Sequence, residues 1–400
     1  MSSPAIFEHS LDRPLILPCG AVIKNRLVKS AMSDSLADGE GNATNAQARL
    51  YERWAEGGVG LSIIGEVQVD HRYPEKPGNL VLEKGTDLYM LRTLAACASI
   101  NGAHIWPQLG HAGGLSHLPI SKPKGPSALN IDNFECAGMS AVEISQLPEI
   151  YAKAAIIAKE VGFTGVQIHA GHGFLLSQFL SPLFNHRQDK YGGSIAARCR
   201  IIVEIIDKVR DAVGNSFPVG IKINSTDQLE GGLTEDDALE AIRILDNTSI
   251  DLIEISGGSY FPGAESSSEG ALKGPYFIEF AVKARCLTRI PLMVTGGFKN
   301  CDQAVKSLES GVVDFVGLAR ALVIKPDLAN DWLSGTNNGP DFPKFESPPS
   351  GGITAWYTML LTAIGNDNDD GFKTGLLSAI HQYESRDDAR CNQWIQKFSD

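Results

Sequence analysis

Chemistry-bearing side chains gather at the ends of a few short apolar runs. One run ends His169-Ala170-Gly171-His172-Gly173. Two imidazoles just past a buried strand can donate converging hydrogen bonds to one oxygen. They could also ligate a metal, but that needs a third ligand close by, and the first apolar run carries no histidine. Another run ends Gly296-Gly297-Phe298, and the next ends Ala319-Arg320. Glycines let backbone N–H groups approach an anion closely, and arginine is a planar, bidentate phosphate partner. The plain alternative is a tight turn beside a surface arginine. Lys222 sits in an otherwise apolar run. A buried cation needs a partner, either a neighbouring carboxylate or a ligand that becomes anionic. Gln108 offers a donor and an acceptor in one plane, suited to an imide edge. A phosphate end, a pyrimidine-like edge and a need for a nearby cation together describe FMN. Its reduced form is negative at the pyrimidine end, where Lys222 would stabilise it.

These residues need a scaffold that brings strand ends together. The apolar runs fall at 26–32, 60–69, 104–109, 165–169, 219–224, 252–257, 291–297 and 315–320. Most are β-branched and nearly all-apolar, as in parallel strands covered on both faces. Between them the pattern predicts amphipathic helices. One spans 141–161 and stops at Gly162. A second, capped by Ser194, spans 195–213 and stops at Gly214. A third, at 235–245, is opened by Thr234 with acidic residues in its first turn. Strand and helix alternating eight times is an α/β (β/α)8 TIM barrel, whose chemistry lies at the C-terminal strand ends. A doubly wound sheet is the runner-up, but no G-x-G-x-x-G turn follows an early strand.

The barrel is expected to occupy residues 1–335. Residues 336–400 read as a linker, rich in Pro, Gly and Asn, followed by an aromatic tail that caps the barrel or meets a second subunit. Segments 35–45 and 109–143 are excursions too long or too polar for simple turns.

Composition bounds the function. The 400 residues are 43% hydrophobic and 20% charged, a globular balance. The net charge of −12 disfavours nucleic acid and anionic membranes. No apolar stretch is long enough to span a bilayer, and residues 1–7 do not read as a signal peptide. A cytoplasmic enzyme is expected. Seven scattered cysteines without C-x-x-C argue against a metal cluster or a disulfide scaffold.

The run Lys24-Asn25-Arg26-Leu27-Val28-Lys29-Ser30-Ala31-Met32-Ser33 resembles the first strand of the Old Yellow Enzyme family. Gln108-Leu109-Gly110-His111 resembles its third-strand signature. The segment from Ile168-His169 through Gly173-Phe174-Leu175, Gln178-Phe179-Leu180-Ser181-Pro182, Asn185-His186-Arg187 and Asp189-Lys190-Tyr191-Gly192-Gly193-Ser194 to Arg198 is similar to the family's most diagnostic stretch. The likeness runs from about residue 6 to about residue 330, and is nearest the branch called class III with its fungal members. It implies FMN as cofactor, NADPH or NADH as reductant, and an enone or enal substrate. It implies that Ala31, Met32 and Ser33 line the flavin and that Gln108 and Lys222 meet its pyrimidine edge. Gly296, Gly297, Phe298, Ala319 and Arg320 would hold its phosphate. His169 and His172 would bind the substrate oxygen.

Two departures stand out. Glu66 occupies a flavin-edge position that is usually small or an amide. Phe174 occupies the position of the usual proton-donor tyrosine, and phenylalanine cannot donate a proton. The expected activity is therefore ene-reduction with water or another group, such as Tyr260, as proton source. A flavin-dependent isomerase or desaturase is the alternative, and a homodimer is possible on the aromatic tail. Other classes fit less well. A metal-dependent barrel hydrolase needs a third ligand beside the two histidines. A glycosidase needs two strand-end carboxylates, and only Glu66 and Glu254 are available, the latter inside its strand. A flavin-binding protein without activity would be yellow yet inert.

Overall fold

The eight apolar runs become eight parallel strands that close on themselves. In a computed structural model describing residues 10–131, 134–261, 274–336 and 339–399, they are β1 (Leu27–Lys29), β2 (Leu61–Gln68), β3 (His104–Gly110), β4 (Val166–Ala170), β5 (Val219–Asn224), β6 (Leu252–Ser256), β7 (Leu292–Thr295) and β8 (Phe315–Leu318). Each pairs in parallel with the next, and β1 pairs with both β8 and β2, which closes the barrel. The expected (β/α)8 TIM barrel is the observed fold. β1 is shorter than the predicted 26–32, because the chain leaves the ladder after Lys29 and touches β2 again only at Ser33, opposite Gly65. The stretch 1–7, and Asp400 at the other end, lie outside the described residues.

Helices α1 (Asn45–Glu56), α2 (Leu88–Ala98), α3 (Ala141–Val161), α4 (Ile195–Val213), α5 (Glu235–Leu245), α6 (Ile278–Arg285) and α7 (Cys301–Glu309) wrap the outside. Their ends are set locally. Ser140 and Glu143 form a reciprocal capping box on α3, and Gly162 ends it in the left-handed region at φ 99°. The Ser194 and Thr234 hydroxyls accept from the third residue of α4 and α5. Each such cap is worth about 1 kcal/mol.

The barrel interior is filled, not hollow. Its lower layers pack Val28, Leu61, Ile63, Trp106, Leu252, Met293 and Phe315, plugged from below by Leu17 and Ile23 of an antiparallel hairpin. Trp106 fits because Gly165 leaves space: a Cβ there would lie 2.4 Å from the indole nitrogen.

The excursion after β3 forms a small sheet (Lys124–Gly125, Leu129–Ile131, Phe134–Gly138) that packs on Phe184 and Phe261. The tail forms α8 (Gly352–Gly365) and α9 (Leu376–Phe398). α8 lies against α1, where Gly365 approaches the Ala46 carbonyl too closely for any side chain. α9 reaches the loops that follow β1 and β2: Arg390 donates to the Ser35 carbonyl at 2.8 Å and Phe398 stacks on His71. Among the described residues no helix is long and apolar enough to cross a membrane.

Candidate active site

A polar layer crosses the barrel just above the apolar one. Strand register aligns His169 of β4 with Lys222 of β5, and Lys222 with Glu254 of β6. Lys222 Nζ lies 3.1 Å from Glu254 Oε1, and both side chains are buried. Gln108 donates to Gln167 at 2.6 Å, Gln167 donates to Glu254 at 2.7 Å, and Thr295 donates to the same carboxylate at 2.7 Å. The Ser30 hydroxyl also donates to it. Burial pushes the Glu254 carboxyl up, but Lys222 and these three donors outweigh it and hold it below the usual range. Of the two partners weighed for Lys222, a carboxylate is therefore present, and Gln108 and Lys222 belong to one hydrogen-bonded chain.

The two histidines follow directly. His172 adopts the left-handed region at φ 59°, with Gly173 at φ 82°. A non-glycine residue there costs on the order of 1 kcal/mol and needs holding. Asn224 accepts from the His172 backbone N–H at 3.0 Å, and the Tyr260 N–H donates to the His172 carbonyl at 3.0 Å. This turn brings His172 Nδ1 to 3.1 Å from His169 Nε2 and His172 Nε2 to 2.9 Å from the Ser256 hydroxyl. The rings thus form a chain, where the sequence reading expected two prongs converging on one point. Burial first, and then the neighbouring Lys222 for His169 and His169 for His172, hold both well below the usual histidine range. Both are neutral imidazoles at neutral pH. Phe174 is buried with its ring 5.1 Å from that of His169, and Tyr260, 68% exposed, lies 5.6 Å from Phe174.

On the other side of His169 stands Glu66. Its Oε1 is 2.7 Å from His169 Nδ1, but off the ring's hydrogen-bonding axis, so Nδ1 has no hydrogen bond. Gly110 makes room for this carboxyl: a Cβ there would sit 2.4 Å from Oε2. Burial raises the Glu66 carboxyl to about 8, with Lys222 opposing, so at neutral pH it is mainly protonated and uncharged. The charge penalty that a glutamate would impose on a reduced flavin is thereby removed. Glu75 is half-buried, accepts from Ser33 at 3.0 Å and Asn79 at 3.2 Å, and is raised by burial and then by Glu66.

At the β7 and β8 ends, Gly296 and Gly297 both take positive φ (106° and 84°). A side chain on Gly297 would strike the Gly274 carbonyl at 2.2 Å, so only glycine makes this turn. The Gly297 and Phe298 N–H groups have no acceptor among the described residues. Arg320 begins a short helix beside them, its guanidinium over the Tyr357 ring of α8. The Gly297 and Phe298 amides at one edge and a polar chain through Gln108 and Lys222 at the other fit the two ends of FMN.

Sequence reasoning passed over Gln167, Ser30, Thr295 and Asn224. Gln167 was findable: it shares a face with His169 at strand period two and is polar in an apolar strand. Ser30 and Thr295 carried no signal of their own. His111 of the third-strand segment is buried, stacks on Tyr73 and accepts from Gly113 at 3.0 Å.

A glycine turn after the seventh strand and a histidine pair after the fourth thus lie at the same end of a closed barrel. The chain matches the family described as NADH:flavin oxidoreductase / NADH oxidase over residues 13–338. A protein of Neonectria sp. (strain DH2) described as an NADH-dependent flavin oxidoreductase is 34% identical over 350 residues, which is 78% of this chain but 46% of that protein. One of the same description from Hypocrea jecorina (strain QM6a) is 33% identical over 353 residues, 80% of this chain and 88% of that protein. The chain thus spans about half of the first relative and most of the second. Among solved structures, an old yellow enzyme homologue from Zymomonas mobilis shares the fold at TM-score 0.73 and 21% identity, covering 87% of this chain and 98% of that one. The chain belongs to the NADH:flavin oxidoreductase (Old Yellow Enzyme) family and is an FMN-dependent NAD(P)H oxidoreductase.

Proposed function

We propose that this enzyme is an ene-reductase that reduces activated C=C bonds of α,β-unsaturated carbonyl or nitro compounds. The observation that carries this reading is a pair of buried, neutral histidines at the barrel mouth they share with Gln108, Lys222 and the Gly296-Gly297 turn. FMN, when bound, supplies hydride transfer between NAD(P)H and the substrate. The chain does the rest. The Gly297 and Phe298 amides, Ala319 and Arg320 hold the phosphate. Gln108 and Lys222 meet the pyrimidine edge, and Ala31, Met32 and Ser33 line the ring. The His172 Nε2–H, with His169 behind it in the chain, polarises the substrate oxygen, between Phe174 and Tyr260. The tail from 336 caps this end as part of the same domain.

One prediction concerns the cofactor. Arg320→Ala is expected to weaken FMN binding about 10- to 100-fold, the usual loss of a hydrogen bond to a charged group. Fluorescence titration of apoprotein with FMN measures it, and unchanged affinity rules Arg320 out of the phosphate site.

A specific observation favours a second reading. Phe174 puts a hydrocarbon ring beside His169 where the family's proton donor stands. An isomerase or desaturase needs no donor there. Anaerobic incubation with NADPH and a cyclic enone separates the two. One NADPH consumed per saturated product is the expected result. Conversion with only trace NADPH consumed establishes isomerisation.

A further inference from the structure

Glu66, His169, His172 and Ser256 make a continuous line of polar atoms. The separations are 2.7 Å from Glu66 Oε1 to His169 Nδ1, 3.1 Å across the two rings, and 2.9 Å from His172 Nε2 to Ser256 Oγ. One end is a carboxyl only 8% exposed that no side chain or backbone donor satisfies among the described residues. The other end, His172 Nε2, reaches the strand-end hydroxyl at the barrel mouth. His169 Nδ1 is likewise without a hydrogen bond. Bringing the carboxyl onto the ring axis is within reach of glutamate's side-chain torsions.

We infer that Glu66, His169 and His172 form a proton relay that protonates a substrate oxygen held at His172 Nε2, in place of the hydroxyl that Phe174 lacks; this rests on the ene-reductase reading above. FMN, when bound, would supply the hydride of NAD(P)H to the substrate β-carbon, and the product of that transfer is an enolate. The Glu66 O–H bond breaks as His169 Nδ1 takes its proton. His169 Nε2 passes its proton to His172 Nδ1, and His172 Nε2 passes its own to the enolate oxygen. The substrate has then gained a hydride and a proton and is an enol. Glu66 is a carboxylate, and each imidazole remains neutral in its other tautomer. The enol becomes the saturated carbonyl by taking a proton from water at the α-carbon and releasing its O–H proton. Water then protonates His172 Nε2 and the shift runs backwards, restoring the Glu66 carboxyl.

Neutral imidazoles are what the relay requires, since an imidazolium has no lone pair to receive a proton. Glu66 is faced by His169, Lys222, Glu75, Tyr151 of α3 and Tyr260. Of these, Lys222 favours its ionisation and is neutralised by Glu254, whereas a charged Glu75 opposes it. The acid is therefore present at neutral pH and lost as pH rises through about 8.

The test uses FMN-loaded enzyme and a simple cyclic enone. Reoxidation of the reduced wild type by the enone is expected to slow about tenfold per pH unit above this value. Glu66→Gln is expected to slow reoxidation about 10²–10⁴-fold more than it slows flavin reduction by NADPH, and to flatten the pH profile. Independently of turnover, infrared titration of the wild type is expected to show a protonated-carboxyl band lost near pH 8 and missing from Glu66→Gln. This second measurement does not depend on activity. A Glu66→Gln enzyme with wild-type reoxidation and the same pH limb overturns the relay, as does a wild type whose Glu66 band disappears below pH 5. A wild type that binds FMN and oxidises NADPH yet converts no enone overturns the ene-reductase reading itself, whatever the band does.

Discussion

Glu254→Ala is expected to destabilise the protein by about 3–5 kcal/mol, the usual cost of removing one partner from a buried ion pair. Lys222 would lose its carboxylate at 3.1 Å. Ser30, Thr295 and Gln167 would each lose the acceptor they now share. Both side chains are buried, so the lost partners are not replaced at the surface. Urea unfolding followed by circular dichroism gives the number, and a loss below about 1 kcal/mol would show that the layer rearranges around the gap. The companion variant Lys222→Leu/Glu254→Leu separates charge from packing. Replacing both charges with apolar side chains removes the desolvation cost along with the attraction, so the double variant is expected to recover much of the loss. It is not expected to recover FMN affinity if Lys222 meets the flavin.

The second large effect falls on turnover. Replacing His172 by alanine is expected to lower kcat/KM for an enone about 10²–10³-fold, the range seen when one preorganised donor is removed from a site of developing negative charge. His169→Ala is expected to cost as much, because His169 both orients His172 and connects it to Glu66. The two losses are expected to be far from additive, since the rings act as one chain. Stopped-flow reoxidation of the reduced enzyme by enone measures the relevant step. A double variant within tenfold of wild type would mean that the substrate oxygen is bound elsewhere, and Tyr260 would be the next residue to examine.

Much of this architecture was legible before any coordinates. Parallel strands buried on both faces must be apolar throughout, so eight such runs announced themselves, five of them to within one residue at both ends. Several helix ends were equally plain, because Ser194 and Thr234 satisfy amides within their own first turn and Gly162 adopts its left-handed φ without help from elsewhere. The Gly296-Gly297 turn and the histidine pair were visible for the same reason: each is a local pattern.

What the chain alone left open was which polar side chain meets which. Lys222 and Glu254 both stood out as charges in apolar strands, yet only the stagger of the closed barrel sets them side by side. Gln167 joins Gln108 to Glu254 because β4 lies between β3 and the later strands at that register. Glu66 read as an intrusion at a flavin edge. The closure of β2 against β3, and a glycine at 110 that leaves space for it, turned it into an acid in contact with His169. Backbone geometry repeats every two or 3.6 residues, so sequence determines elements and their ends. Contacts across a barrel depend on shear and tilt summed over all eight strands, and those are properties of the closed sheet and of no single segment.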